Sequence, residues 1–419
     1  MLIQFCFNNF KSFKDDSILD FTATKITEHS NRLVKIASDN ILTTAAIYGA
    51  NASGKSNVIE AFRYMRRYIL YSFSYGEDIE KKDNSINKPR FLPFLFDEES
   101  KIKDSTFEVY FTLSKDSTQK TYNYGFSLNK EGITEEWLNS QAKTSKIPKK
   151  IFYRNTRTGD LDLSGIAKKS QENIVIALGN ETLIVSLGAK LQIEKLKTVR
   201  DWFLETTCYN FGNPQENALL SSFIPNNFVD DKNIQKKIVN YLSTFDKSII
   251  DFEISDVEMG EDGHKKIKIE TVHKMTNGKR ATIPLREESD GTLKMLSLYP
   301  ALQDILESGS ILFIDELNAR LHPLLVRNFI LTFLNPDTNK NHAQLVFTLH
   351  DAFQLSNNLL RRDEIWFTEK DDNGISTLYS LADFTDEDGD KIRKDENYEK
   401  NYLLGKYGAI PDLESFNMF

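Results

Sequence analysis

Residues Gly49-Ala50-Asn51-Ala52-Ser53-Gly54-Lys55-Ser56 follow the spacing G-x-x-x-x-G-K-S. At that spacing a glycine-rich turn folds its backbone N–H groups inward around phosphate oxygens, and the helix that follows adds the partial positive charge of its N-terminus. The expected ligands are therefore ATP and Mg²⁺. Gly49, Asn51, Ser53, Gly54, Lys55, Ser56 and Asn57 would form the nucleotide cradle, Lys55 reaching the β- and γ-phosphates and the Ser56 hydroxyl ligating the metal.

Three further segments carry compatible chemistry. Ile311-Leu312-Phe313-Ile314 is an apolar run ending in Asp315-Glu316. It predicts a buried strand with two acids at its C-terminal end, where open α/β sheets bind ligands. Asp315 would hold the Mg²⁺ hydration shell, and Glu316 would orient or deprotonate an attacking water. Twenty-six residues before Asp315, Glu288-Ser289-Asp290-Gly291-Thr292 precedes an apolar-periodic stretch, Leu293–Leu302. Ser289 reads as its N-cap, and with Gly291 it leaves backbone N–H groups facing an anion. Finally, Ala343–Leu349 is a strand-like run ending in His350, 34 residues after Glu316. A histidine there can contact a γ-phosphate and help Glu316 and Lys55 in catalysis.

The elements that must position these groups are also legible. Ile41–Tyr48 is apolar and β-prone, and Asn57–Met65 has helical spacing, so the phosphate loop has its strand before it and its helix after it. Thr106–Phe111 and Tyr122–Phe126 alternate as antiparallel strands do. Leu191–Lys197 and Ile234–Leu242 are helix candidates within a stretch, residues 140–248, that reads as a largely helical insertion. The expected organisation is an N-terminal lobe over 1–139 with the phosphate loop, the insertion over 140–248, and a C-terminal lobe over 249–419.

The order phosphate loop, Ser289 segment, Asp315-Glu316, His350 resembles that of ABC-type ATPases. It differs from the AAA+ and RecA arrangements, which have no signature helix upstream of the acidic strand. The resemblance implies an α/β fold: an ABC-type P-loop ATPase head with a mixed sheet flanked by helices, an antiparallel β-subdomain and a largely helical insertion. It also implies at least a dimer, with Ser289 and Gly291 of one copy closing on ATP held by Lys55 of another. Phe7-Asn8-Asn9-Phe10-Lys11-Ser12-Phe13 resembles the opening strand of RecF- and SMC-type ATPases. Asp363–Lys370, Leu378–Leu381, Tyr402–Pro411 and Leu321-His322-Pro323 are similar to bacterial RloA/AbiL-like ATPases. That family implies anti-phage defence by abortive infection and control of a separate toxic effector, such as a Toprim-type or other nuclease. The alternative is a RecF/SMC-like DNA-repair ATPase that binds DNA directly. Two departures stand out: Asp290 replaces the first signature glycine, and no Q-loop glutamine is evident around Pro93–Asp97.

Composition narrows the remaining classes. With 53 Lys and Arg against 61 Asp and Glu the net charge is −8, which excludes coating nucleic acid by bulk charge. Local basic clusters could still touch DNA: Lys143, Lys146, Lys149, Lys150, Arg154 and Arg157 in a loop-like stretch, Lys265, Lys266, Lys268, Lys274, Lys279 and Arg280 in a hairpin, and Arg63, Arg66 and Arg67 on a helix. The two cysteines, Cys6 and Cys208, cannot build a disulfide framework. No apolar run suffices to span a membrane, and the expectation is a cytoplasmic protein with no membrane partner. The acidic stretch Asp383–Asp390 lacks EF-hand spacing and reads as a solvated loop. Heptads do not persist, which excludes long coiled-coil arms. Too few residues follow His350 for a Toprim domain, so nuclease activity is expected in a partner.

Overall fold

The computed structural model describes residues 1–75, 88–113, 120–143, 145, 147–222, 224–225, 227–259, 265–385, 389 and 391–411. The chain divides into two compact units. One comprises Met1–Cys208, Leu306–Glu316 and Ile330–Phe419, the other Tyr209–Ile305 and Leu317–Phe329.

The first unit holds a mixed sheet, a larger antiparallel sheet and a small pairing of Val34–Ile36 with Asp39–Ile41. In the mixed sheet, Ile311–Asp315, Gln344–Thr348, Thr44–Gly49 and Ile365–Lys370 run parallel in that order, and Ser376–Ser380 closes one side antiparallel. A short strand starting at Thr207 lies on the other side. The three strands Thr44–Gly49, Ile311–Asp315 and Gln344–Thr348 are buried at every residue. That is why their sequences read as unbroken apolar runs rather than alternations. The second sheet is antiparallel throughout, in the order Asp160–Asp162, Lys149–Asn155, Gly132–Gln141, Thr121–Asn129, Ser105–Thr112, Leu2–Asn8, Ser17–Asp20.

Between the sheets lies the helix Lys55–Tyr71, buried along Val58, Ile59, Phe62, Met65 and Ile69. Phe62 stacks on Phe313 with centroids 4.2 Å apart and meets Phe5 edge-on at 5.3 Å. Such ring pairs contribute about 0.5–1.5 kcal/mol each beyond burial. They fix the phosphate-loop helix against both sheets at once. Helix Glu194–Glu205 adds Trp202 and Phe203 to the same cluster.

Residues 140–248 carry helices Lys168–Ala177, Ile184–Lys190, Glu194–Glu205, Pro214–Ser222 and Lys232–Leu242, and they open with strands. Lys149–Asn155 and Asp160–Asp162 extend the antiparallel sheet. Their exposed lysines hide a strand in which Phe152 and Arg154 are buried on one face and Ile151 on the other. The helix candidates correspond to Glu194–Glu205 and Lys232–Leu242, the latter capped by the Asp231 carboxylate. The contact division falls after Cys208, away from 139 and 248. The second unit contains a three-stranded antiparallel sheet, Ile249–Met259, Lys265–Lys274 and Arg280–Pro284, and the N-terminal part of helix Asp290–Ser308.

Candidate nucleotide site

Strand Thr44–Gly49 ends in the phosphate loop, and helix Lys55–Tyr71 begins directly after Gly54. Gly54 has φ +116° and contributes no side-chain cap, so the first-turn N–H groups keep no side-chain acceptor there. Unsatisfied first-turn donors are what an anion at a helix N-terminus requires. Both glycines are sterically enforced. A Cβ on Gly49 would lie 2.4 Å from the Thr368 carbonyl oxygen, and one on Gly54 would lie 2.7 Å from Ser376 Oγ.

Lys55 is buried, and its Nζ donates to the carbonyls of Gly49 at 2.8 Å and Ala50 at 2.9 Å. Burial pushes its pKa down, while the Asp315 and Glu316 carboxylates oppose that shift. A buried ammonium ion beside two acids is poised for a polyanion.

The acidic strand end meets this loop. Ser56 Oγ donates to Asp315 Oδ1 at 3.1 Å, and Thr348 Oγ1 donates to the same oxygen at 2.7 Å. Thr348 Oγ1 also accepts from the Glu316 N–H at 2.8 Å. Glu316 adopts φ +56°, and its Oε1 lies 3.0 Å from His350 Nε2. Three adjacent strand ends therefore bring Lys55, Ser56, Asp315, Glu316 and His350 into one linked cluster. Ser56 Oγ and Asp315 Oδ1 form a hard, all-oxygen donor pair of the kind Mg²⁺ takes.

Sequence reasoning missed the groups that brace the loop. Ser53 Oγ lies 2.6 Å from Thr368 Oγ1. The Ser376 hydroxyl donates to the Ser53 carbonyl at 2.7 Å and lies 2.8 Å from Ser12 Oγ, which accepts from Asn57 Nδ2 at 2.8 Å. The Asn57 side chain thus holds the loop to the N-terminal Phe10–Phe13 segment. Asn51 is exposed at the loop's outer turn. The C-terminal Tyr402–Pro411 stretch packs behind the loop, where Tyr402 stacks on Phe367 with centroids 5.5 Å apart.

Ser289 and Gly291 belong to the second unit. Ser289 Oγ accepts from the Thr292 N–H at 3.1 Å, the N-cap expected of helix Asp290–Ser308. Asp290, in place of a glycine, pairs with Arg320 Nη1 at 2.8 Å.

The basic clusters are not simple faces. Arg154 is buried, donating to the Thr182 carbonyl at 2.8 Å and the Gly179 carbonyl at 3.0 Å. Lys149 and Lys150 are strand residues rather than loop residues. Arg157 pairs with Asp104, and Lys268 with Glu270. Arg66 Nε donates to the Phe203 carbonyl at 2.8 Å, and Arg63 pairs with Glu60. Lys146, with Asp386, Glu387, Asp388 and Asp390 of the acidic stretch, lies outside the described residues. Among the described residues no group of His, Cys, Asp and Glu could hold a metal ion by itself, and no helix is long and apolar enough to cross a membrane.

A parallel sheet with a G-x-x-x-x-G-K-S loop at its strand ends and Asp315-Glu316 beside it defines an α/β P-loop ATPase domain. The comparisons name the group. Residues 45–356 match the family described as "AAA domain, putative AbiEii toxin, Type IV TA system", and the chain belongs to that family. Solved structures that resemble it include an Smc head domain with an extended coiled coil bound to the C-terminal domain of ScpA, from Pyrococcus furiosus. It is 13% identical, covers 90% of this chain and 96% of that one, and has a TM-score of 0.39. An Smc head domain with a coiled coil and joint from Pyrococcus yayanosii is 11% identical, covers 91% and 97%, and also scores 0.39. No curated protein matches the chain.

Proposed function

We propose that this chain hydrolyses ATP at a site completed by a second copy of itself, and that it uses the resulting association to hold and release a separate toxic effector in anti-phage defence. The observation that carries the chemistry is the linked cluster Lys55–Ser56–Asp315–Thr348–Glu316–His350.

Lys55 leaves its two carbonyl partners for the β- and γ-phosphates, and the loop N–H groups hold the rest of the polyphosphate. Ser56 Oγ and the Asp315 carboxylate would hold Mg²⁺, which would supply charge neutralisation at the phosphates. The Glu316 carboxylate takes the proton of the attacking water, and His350 fixes that carboxylate and faces the γ-phosphate. Ser289 and Gly291 of the second copy present the N-terminus of helix Asp290–Ser308 to the same phosphate. The net charge of −8 favours a protein partner over nucleic acid as what the dimer acts on. The toxin–antitoxin wording of the family description supports an effector or toxin context. A nuclease, Toprim-type or other, is the partner class this reading names.

The test is the Glu316→Gln protein, co-expressed with its genomic neighbours and purified with and without ATP. The expected result is an ATP-dependent dimer, seen by light scattering, that retains a nuclease-like partner and hydrolyses ATP far more slowly than the wild type. Wild-type hydrolysis by Glu316→Gln would sink the catalytic assignment. Unchanged association in Ser289→Arg would sink the composite site. A lone dimer whose hydrolysis DNA stimulates would move the reading to a repair ATPase.

A further inference from the structure

The antiparallel sheet carries a recess of about 530 Å³ between the start of strand Lys149–Asn155 and helix Glu194–Glu205. That volume lies within the range of small-molecule sites. Tyr122 pairs with Ser140, and Ser140 with Lys149, so these three stand abreast on one face. Lys120 precedes Tyr122 by two residues and shares that face, as does Ile151, whose buried side chain helps form the floor. Lys195 and Glu194 line it from the helix, and Lys150 from strand Lys149–Asn155.

The charge of this recess is out of balance. Lys150 pairs with Asp162 at 3.1 Å, and Lys195 Nζ donates to the Gly165 carbonyl at 2.6 Å. Lys120 and Lys149 have no ion pair among the described residues. Glu194 is the single acid among the lining residues against four lysines. In a chain of net charge −8 a concave surface with surplus lysines concentrates anions. Lysine binds phosphate as a mobile point charge, and Ser140 adds a hydroxyl. The half-buried Tyr122 ring lines the recess and is stacked on Phe111 at 5.5 Å and 24°. An aromatic wall beside lysines is the combination that takes a base and its phosphate together.

We infer that the recess bounded by Lys120, Tyr122, Ser140, Lys149 and Lys195 is a second nucleotide-binding site, separate from the phosphate loop, for a 5′-phosphorylated nucleotide. The ligand is either free or the 5′-phosphorylated end of a nucleic acid strand. Lys149 and Lys120 contact the phosphate, and Tyr122 receives the base.

The probes are a 5′-phosphorylated dithymidylate and a 5′-phosphorylated single-stranded 12-mer, each with a 3′ fluorescent label. Both are titrated by anisotropy without ATP, in the wild type and in Lys55→Ala, so that any contribution of the phosphate loop is read as a difference between the two. Binding is expected at micromolar concentration, unchanged in Lys55→Ala, and weakened at least tenfold in Lys120→Glu/Lys149→Glu. The double variant should keep wild-type melting temperature and basal ATP hydrolysis, and Lys149→Ala gives a milder loss on the same fold. Displacement of the 12-mer by free thymidine 5′-monophosphate at matching concentration identifies a free nucleotide as the ligand, and 12-mer binding that the mononucleotide does not displace identifies a strand end. Binding that is absent below millimolar probe, or unaffected by both lysine variants, or lost in Lys55→Ala, overturns the inference.

Discussion

Glu316 Oε1 lies 3.0 Å from His350 Nε2, and the two residues come from neighbouring parallel strands joined through the Thr348 hydroxyl. Glu316 holds a left-handed backbone, φ +56°, that costs a non-glycine residue of order 1–3 kcal/mol. Its N–H bond to Thr348 is what offsets part of that cost and aims the carboxylate at the histidine. Removing the base in Glu316→Gln should lower kcat by about 10²–10⁴-fold with ATP affinity intact. His350→Ala should lower it less. Phosphate release under single-turnover conditions, with ATP binding measured in parallel, checks both.

Thr348 is predicted to matter for fold and chemistry together. Thr348→Val keeps the shape of the side chain but leaves the Glu316 N–H without its acceptor and Asp315 Oδ1 without its 2.7 Å donor. The expected cost is about 1–3 kcal/mol of stability, because a buried donor is left unsatisfied, accompanied by a fall in kcat. Urea denaturation and turnover of the same preparation would show it. Stability unchanged within error would mean the bridge is not made.

Lys55 sets stability against function. Its ammonium is buried and its pKa lowered by that burial, so the folded state tolerates the charge at a cost. Lys55→Met retains most of the volume and removes the charge. It should melt no lower than the wild type while losing ATP binding by about two orders of magnitude, the loss of a buried charge-assisted phosphate contact. A lower melting temperature with normal ATP affinity would contradict both halves.

The phosphate loop has no room for added atoms. In Gly54→Ala the new methyl group would meet Ser376 Oγ at 2.7 Å on a backbone at φ +116°. Ser376 is the donor that holds the Ser53 carbonyl. The substitution should destabilise the protein by about 1–3 kcal/mol and weaken ATP binding. Ser376→Ala, which removes only the donor, should do the second with less of the first. Thermal melts with and without ATP separate the two.

How much of this was readable beforehand depends on what each residue does. Lys55, Ser56, Asp315, Glu316 and His350 stand at the ends of apolar runs, where a polar residue contrasts with its neighbours and its spacing from the others can be counted. Ser12, Thr348, Thr368 and Ser376 are hydroxyls inside or beside strands, up to 364 residues apart in sequence, and only the sheet order brings them to one loop. The antiparallel strands over Thr106–Phe126 were legible from alternation. Lys149–Asn155 was not, because its exposed lysines and its buried Arg154 both look like surface in the sequence. Ser289 was legible as an N-cap. Its ion-paired neighbour Asp290 needed Arg320, 30 residues on, to make sense.

The pH dependence of stability should run in an uncommon direction through Glu136. Its carboxyl is fully buried, accepting from the Tyr124 hydroxyl at 3.0 Å, the Ile184 N–H at 2.6 Å and the Val185 N–H at 3.1 Å. Desolvation pushes its pKa up to about 7, against those hydrogen bonds and Arg154, which act to lower it. Below the ordinary carboxyl value near 4.5 both folded and unfolded chains carry the proton, and the folded state keeps the full benefit. Between there and pH 7 the unfolded chain releases the proton first, so stability falls as pH rises, and above 7 the loss is complete. At about 1.4 kcal/mol per pKa unit the change is on the order of 3 kcal/mol. Glu136→Gln removes the titration, so the stability of the wild type relative to this variant should decline from pH 5 to pH 8. Denaturant midpoints of both proteins across that range measure it, and parallel curves would show that the carboxyl ionises in the folded state as it does in water.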